Sequence, residues 1–125
     1  MNIDKNYAPK LLNGLETLWK DRTFIDTTLV VDHMEIPVHR CVLSAVSGYF
    51  RSMFAGSLRE AFQHERIELK ELDHTVVMKL IEYCYTSKID INEENVMHIL
   101  KAADLLQFDT VRKNDIFQPC TRFTH

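Results

Sequence analysis

The stretch from residue 39 to residue 54 carries a regular apolar pattern. Its apolar side chains recur at spacings of three, four and seven residues, at Val42, Leu43, Val46, Phe50, Met53 and Phe54. Such spacings are typical of helices with one buried face. Ser47-Gly48 interrupts the run, because serine caps a helix well and glycine ends one readily. We therefore predict two short helices that meet at a small-residue corner and form an inner layer of the fold.

Strand-like patterns lie on both sides of these helices. The apolar, β-branched run 24–31 and the run 34–38 flank Asp32-His33, which is a turn signal, so the three segments predict a hairpin. Residues 66–70 alternate polar and apolar side chains, as a half-buried strand does. The segment 89–91 predicts a further short strand.

Helical patterns occupy most of the remaining chain. A stripe of leucines predicts a leading helix from about Ala8 to Lys20. Later helices are predicted to begin at short polar side chains that favour a helix N-terminus, at Asp73, Asn92 and Asp109. We therefore expect a single α+β domain, in which a small sheet packs against a cluster of helices.

Composition narrows the class of protein. The 125 residues are 46% hydrophobic and 26% charged, which suits one domain with a real core. The formal net charge is -3, so the chain lacks the excess of basic residues that is typical of a nucleic-acid binder. No apolar run approaches the roughly 20 residues that cross a bilayer, so we expect no membrane partner. The three cysteines are widely spaced and odd in number, which favours a reducing compartment, the cytoplasm or the nucleus.

Motifs for catalysis or cofactor binding are missing from the sequence. It has no Gly-Lys-Ser/Thr phosphate loop, and its six histidines do not pair with cysteines at zinc spacing. Cys41 and Cys84 lie on predicted apolar helix faces, where structural buried thiols are more common than nucleophiles. His39, at a predicted helix start, is interpreted as a structural hydrogen-bonding group. We therefore expect no enzyme activity, metal, cofactor or small-molecule substrate, and a function in protein–protein contact.

Two consecutive segments resemble the BTB/POZ domain. They are PVHRCVLSA at residues 37–45 and SGYFRSMF at residues 47–54. The family typically has apolar-x-His-Arg-x-Val-Leu-Ala followed by Ser-x-Tyr-Phe-x-x-Met-Phe, and the likeness extends from about Leu11 to Lys113. The Kelch-like (BTB-Kelch) branch matches best. The resemblance implies the BTB/POZ fold, in which a small, mostly three-stranded sheet packs with five or more helices.

The resemblance divides the chain into three parts. Residues 1–22 are an N-terminal segment with a dimerisation helix, residues 23–113 are the BTB/POZ core, and residues 114–125 are a divergent tail without an apolar period. Kelch-like proteins continue at this point with further helices and Kelch repeats. We therefore expect a product truncated after the BTB domain, whose tail is an alternative ending such as that of a splice variant.

The sequence alone leaves open what covers the apolar face of the leading helix. The helix either folds back on its own core or forms a dimer face. The corresponding helix of BTB proteins packs across a two-fold axis, which favours a homodimer built from the same patch twice. The resemblance also implies that Asp26 and Arg40 lie in a charged pocket near this interface, the alternative being a surface aspartate at a strand end. The predicted dimer interface comprises Leu11, Leu12, Leu15, Leu18, Trp19, Asp26 and Arg40.

A second predicted surface follows the matching motif. Kelch-like BTB domains carry an apolar-x-acidic motif after Met-Phe-x-Gly, and in that family it contacts the N-terminal domain of cullin-3, a ubiquitin-ligase scaffold. Carried over to this chain, Leu58 is the apolar anchor and Glu60 the acidic partner, while Tyr49 and Phe54 support or border them. The alternatives are a solvated loop for Leu58 and Glu60, and pure core positions for Tyr49 and Phe54.

The resemblance implies a function as a scaffold rather than a catalyst. It predicts a homodimer similar to the substrate-adaptor subunit of cullin-3 RING ubiquitin ligases, without the Kelch repeats and able to pair with full-length relatives. The alternative is the BTB domain of a transcriptional repressor that recruits corepressors, although no zinc fingers follow here. A tetramerisation domain of the ion-channel type ranks lower, because such domains lack the pattern of residues 39–43 and the leading helix.

Overall fold

The architecture confirms the predicted α+β class. The computed structural model describes residues 1–55 and 66–112, and in them six helices accompany a three-stranded sheet. In chain order the elements are α1 (Tyr7–Lys20), β1 (Thr27–Val31), β2 (Met34–Val38), α2 (Arg40–Val46), α3 (Gly48–Ala55), β3 (Arg66–Glu68), α4 (His74–Thr86), α5 (Val96–Leu105) and α6 (Asp109–Arg112).

The predicted hairpin is confirmed, but its first strand is shorter than the apolar run. β1 pairs antiparallel with β2, in a register that places Val31 opposite Met34. The loop Asp32-His33 has φ of 52° and 64°, positive at both residues as a type I′ turn requires. Residues 24–26 lie outside the strand, and Phe24 has φ of 63°, far from extended backbone. β3 adds in parallel to the other side of β1, giving the order β2-β1-β3.

The predicted corner between the two inner helices is confirmed at Ser47. Its backbone is extended, its Oγ accepts the N–H of Phe50 at 3.1 Å, and the same hydroxyl donates to the carbonyl of Leu106 at 2.6 Å. The N–H of Gly48 donates to the carbonyl of Gln107 at 3.3 Å. The corner therefore fastens α3 to the end of α5.

The cap predicted for α4 is confirmed. Oδ2 of Asp73 accepts the N–H of Val76 at 3.1 Å, and Oδ2 of Asp32, in the hairpin loop, accepts the N–H of His74 at 3.1 Å. Two carboxylates thus satisfy N–H groups that have no partner within the helix. The helix packs on α1, α2 and α5 and buries one stripe, comprising Val77, Leu80, Ile81, Cys84 and Tyr85.

Two local predictions after α4 are wrong. Residues 89–91 form no strand, because a strand needs a neighbour for its hydrogen bonds and the sheet in the described chain consists of β1, β2 and β3 alone. Asn92 does not begin the next helix directly. Its Oδ1 accepts the N–H groups of Glu94 and Asn95, both at 2.9 Å, which orders a turn, and α5 begins at Val96.

The two cysteines of the described chain differ in environment. Cys84 is 6% exposed, its Sγ donates to the carbonyl of Leu80 at 3.3 Å, and burial raises the pKa of its thiol. Cys41 is exposed, because the seven residues of α2 turn Val42 and Leu43 toward the core instead. The prediction of a buried thiol is therefore confirmed for Cys84 and wrong for Cys41.

The end of α4 generates a stability prediction. Ser87 lies in the left-handed region, with φ of 62° and ψ of 12°, and its N–H donates to the carbonyl of Tyr83 at 2.9 Å. A non-glycine residue pays about 1–2 kcal/mol for this conformation, against about 0.5–1 kcal/mol of extra backbone entropy for glycine. We expect Ser87→Gly to raise the free energy of unfolding by about 0.5–1 kcal/mol in urea denaturation.

The matched control for this variant is Lys88→Gly. Lys88 follows immediately and does not have positive φ, so glycine there only adds backbone entropy to the unfolded chain and should lower stability. An equal loss of unfolding free energy in Ser87→Gly and Lys88→Gly would contradict the backbone strain assigned to Ser87.

A buried hydroxyl at the start of β1 generates a second prediction. Thr27 is 3% exposed, and its Oγ1 has no hydrogen-bond partner among the described residues. Burial of an unpaired hydroxyl is unfavourable, and valine has nearly the same shape without it. We expect Thr27→Val to raise the free energy of unfolding by about 1 kcal/mol in urea denaturation.

Thr28→Val is the control for this variant. Thr28 lies on the opposite face of β1 and is only half-buried, so its hydroxyl remains accessible to water. A Thr27→Val variant no more stable than Thr28→Val would mean that the Thr27 hydroxyl has a partner, such as a buried water.

Candidate protein-interaction surfaces

The leading helix presents an apolar face that is only partly covered by its own chain. α1 packs on α4. Leu12, Leu15 and Leu18 are half-buried, and Leu15 packs against the core, whereas Leu11 remains 51% exposed. We call Leu11, Leu12, Leu15 and Leu18 the leucine face. Its role in a dimer stays a prediction, with Leu11 the most available of the four residues.

Trp19 does not share the openness of the leucine face. Its ring is 9% exposed and stacks on Tyr85 of α4, with centroids 4.6 Å apart and planes inclined by 2°. Its Nε1–H donates to the carbonyl of Pro37 at 2.8 Å. These contacts satisfy both the apolar body and the polar edge of the indole inside one copy of the chain. The indole is therefore largely covered by its own chain, and its part in a dimer interface stays a prediction.

His39 joins the start of α2 to the turn that follows α1. Its ring is 6% exposed, with Nε2 2.8 Å from the carbonyl of Thr23 and Nδ1 2.7 Å from the hydroxyl of Tyr85. A carbonyl can only accept, so Nε2 carries the proton and Nδ1 accepts from the tyrosine hydroxyl. The backbone N–H of His39 donates to the same hydroxyl oxygen at 3.0 Å. These bonds agree with the predicted structural role of His39.

Tyr85 keeps its proton at neutral pH and can therefore act as this donor. Its side chain is fully buried, and burial raises the pKa of its hydroxyl, while the hydrogen bond from the His39 backbone acts in the opposite direction. Sequence patterns do not single out this hydroxyl, because its partner lies 46 residues away.

Asp26 and Arg40, both predicted near a dimer interface, contact each other within the chain. The N–H of Arg40 donates to Oδ1 of Asp26 at 2.8 Å, and Nε donates to Oδ2 at 3.2 Å. Arg40 is the first residue of α2, and its N–H has no acceptor within that helix. Asp26, 14 residues earlier in the sequence, supplies the missing acceptor. The two side chains are 42% and 41% exposed, so the ion pair itself contributes less than about 1 kcal/mol. The pair remains accessible to a partner.

Tyr49 and Phe54 flank a buried ring on α3. Phe50 is fully buried, Tyr49 meets it edge-on at 5.2 Å, and Phe54 stacks on it at 5.9 Å. Both flanking rings are half-buried, so neither is a pure core position. We call Tyr49 and Phe54 the aromatic face. The other two residues predicted for this surface, Leu58 and Glu60, lie outside the described residues.

A cleft of about 400 Å³ adjoins Tyr49. Its apolar lining includes Leu72 and Leu105, and Leu105 is 51% exposed. Charged side chains from the end of β3 and the segment after it lie on the same cleft, at Glu68, Lys70 and Glu71. Sequence reasoning missed this cleft, because its lining comes from three separate segments. The Tyr49 cleft has an apolar floor and a charged rim, as recognition sites for protein side chains commonly do.

Metal-ligand clusters and membrane-spanning helices are both absent from the described residues. Residues 1–55 and 66–112 hold no group of three or more His, Cys, Asp or Glu side chains suited to a metal ion. In the same residues no helix combines the length and the apolar content needed to cross a membrane.

The fold and these surfaces define a protein-interaction domain of the α+β class. The chain belongs to the BTB/POZ domain family, which matches residues 15–120. Among solved structures, the BTB domain of zebrafish PATZ1 superposes with a TM-score of 0.81 at 27% identity, covering 98% of this chain and 97% of that one. The BTB domain of human gigaxonin gives a TM-score of 0.78 at 28% identity, covering 90% and 91%. The predicted fold is therefore confirmed.

Kelch-like proteins are among the relatives of known sequence. Kelch-like protein 21 of Danio rerio is 41% identical over 111 residues, which are 89% of this chain and 18% of the relative. Human Kelch-like protein 6 is 45% identical over 98 residues, 78% of this chain and 16% of the relative. The predicted Kelch-like relationship is confirmed, and the chain spans less than a fifth of the length of these relatives.

The contacts of Tyr85 generate a prediction. Removing its hydroxyl in Tyr85→Phe leaves both the His39 N–H and Nδ1 without their partner in a buried site. We expect the variant to lose about 2 kcal/mol of unfolding free energy, measured by urea denaturation and followed by the fluorescence of Trp19.

Tyr83→Phe is the matched control, two residues earlier on α4. Its hydroxyl pairs with Oγ1 of Thr110 at 2.7 Å in an exposed position, so water can replace the lost bond. A loss in Tyr85→Phe no larger than in Tyr83→Phe would contradict the role assigned to the buried hydroxyl.

Proposed function

We propose that this chain is a homodimeric BTB domain that binds the N-terminal domain of cullin-3, as the adaptor part of a ubiquitin ligase. The observation that carries the cullin-3 proposal is the aromatic face of α3 beside the Tyr49 cleft, in a chain related to Kelch-like proteins. These residues precede the segment with Leu58 and Glu60, to which the family resemblance assigns the cullin contact.

The Tyr49 cleft supports the proposal by its shape and chemistry. An apolar side chain of the partner would enter between Tyr49, Leu72 and Leu105, and its polar neighbours would meet the charged rim. Such a contact, an apolar anchor surrounded by polar residues, gives the largest binding energy per residue in protein interfaces. Ser47 strengthens the site, because its bond to Leu106 holds α3 and α5 at a fixed separation.

The leucine face supports the homodimer. Leu11 is 51% exposed near the middle of α1, and three further leucines are only half-buried beside it. A symmetric dimer would cover the same residues on both copies, together with the accessible pair Asp26 and Arg40. The same face would allow a mixed dimer with a longer Kelch-like relative.

The alternative function, corepressor recruitment by a repressor-type BTB domain, uses a different surface. That partner would lie in a groove along the dimer interface, away from the aromatic face. Binding of cullin-3 and its sensitivity to substitutions on α3 therefore separate the two functions.

Binding to purified cullin-3 N-terminal domain tests the proposal by isothermal titration. We expect the double variant Leu58→Asp, Glu60→Lys to abolish binding, because it replaces the apolar anchor with a charge and reverses the acidic partner. Tyr49→Ala should weaken binding about tenfold, since truncation of a central aromatic anchor costs about 1–2 kcal/mol.

Met34→Ala is the control for this experiment. Met34 is 53% exposed on β2 and does not line the Tyr49 cleft, so binding should not change. Circular dichroism confirms that each variant is folded. Undetectable binding by the unaltered chain, or equal binding by all variants, would overturn the cullin-3 proposal.

A further inference from the structure

We propose that Phe24 is an anchor that inserts into a second copy of this chain, next to the end of α1. The side chain is 77% exposed, and its backbone has φ of 63°. This inference rests on the proposed homodimer and adds to it a residue that the sequence did not single out.

The backbone of Phe24 is strained. Positive φ is rare for bulky side chains, because Cβ approaches the neighbouring carbonyl oxygen. Such strain persists only where the surrounding contacts fix the conformation, and it concentrates at functional positions. The isolated chain therefore holds an aromatic residue in a conformation that glycine or asparagine would adopt more easily.

Contacts on both sides of Phe24 fix this conformation. The N–H of Thr23 donates to the carbonyl of Leu18 at 2.9 Å, and the carbonyl of Thr23 accepts from His39. On the other side, the N–H of Asp26 donates to the carbonyl of Val38 at 3.3 Å, and its carboxylate accepts from Arg40. The backbone is thus held on both sides of Phe24, at Thr23 and at Asp26, while the Phe24 ring itself is exposed.

No contact in the described chain compensates for this exposure. Among those residues, the ring of Phe24 is neither part of the buried core nor packed against it. A phenylalanine side chain buries on the order of 150–250 Å² when covered. At 77% exposure Phe24 offers about 150 Å² to a partner, roughly a fifth of the area that one side of a standard interface needs.

The position of Phe24 favours a second copy as that partner. The turn after α1 is closed by the carbonyl of Leu18, the last residue of the leucine face. Two residues after Phe24 comes Asp26, paired with Arg40. Along the chain, Phe24 thus comes between the two parts of the proposed dimer interface, and two-fold symmetry would place one such anchor from each copy in the contact.

The substitution Phe24→Asn tests the inference through two effects of opposite sign. Asparagine tolerates the left-handed region and has no apolar ring. We expect the dimer dissociation constant, from sedimentation equilibrium, to rise at least tenfold. We also expect the melting temperature to rise by a few degrees at concentrations where both proteins are monomers, because the strain is relieved. A residue that only supports the fold would not weaken the dimer while stabilising the monomer.

Met97→Gln is the matched control. Met97 is 70% exposed on α5 in ordinary helical conformation, and glutamine is an equally good helix former. Both the dissociation constant and the melting temperature should stay unchanged in this variant, so a general loss of exposed apolar surface is separated from the effect at Phe24.

The outcomes distinguish this inference from the proposed function. An unaltered chain that sediments as a monomer at every concentration would overturn the homodimer and the anchor together. A dimer that Phe24→Asn does not weaken would overturn the anchor alone. If Phe24→Asn lost binding to cullin-3 but kept the dimer unchanged, Phe24 would contact a different partner, which also overturns the inference. A weaker dimer without a more stable monomer would overturn the assignment of strain.

Discussion

The buried hydroxyl of Tyr85 is the interaction on which the arrangement of this domain depends. It accepts the N–H of His39 and donates to the ring of the same residue, while the tyrosine ring stacks on Trp19. Through His39 the contact continues to Thr23, in the turn after α1. One side chain of α4 thereby sets the positions of α1, the start of α2 and the connection into β1. In a buried site each of these polar groups would be costly to leave unpaired.

Left-handed turns without glycine are a second general feature of the chain. It has three glycines in all, whereas seven non-glycine residues of the described chain have positive φ. Two of them, Arg22 and Gln107, lie at the ends of α1 and α5. The N–H of the residue that follows each one donates back to its helix: Thr23 to the carbonyl of Leu18, and Phe108 to the carbonyl of Ala103. Tertiary contacts hold these turns in place, although the left-handed backbone is strained at residues other than glycine.

The two proposed surfaces rest on these two features. Along the chain, the leucine face and Phe24 lie on either side of the turn to which His39 binds. The Tyr85 contacts therefore determine the orientation in which both would be presented to a second copy. The aromatic face belongs to α3, which Ser47 fastens to the carbonyl of Leu106 beside a left-handed turn. Each surface is thus presented by backbone that buried or remote hydrogen bonds fix, which lowers the entropy lost on binding.

Elements whose signals are local could be predicted from the sequence. The break at Ser47, the hairpin around Asp32-His33 and the cap at Asp73 all follow from short-range backbone chemistry. The tertiary structure decided that Trp19 faces its own core, that Asp26 satisfies the first N–H of α2, and that residues 89–91 form no strand in the described chain. Apolar periodicity reports which face of an element avoids water, but not which surface covers that face. That choice depends on partners many residues away, and only the folded chain brings them together.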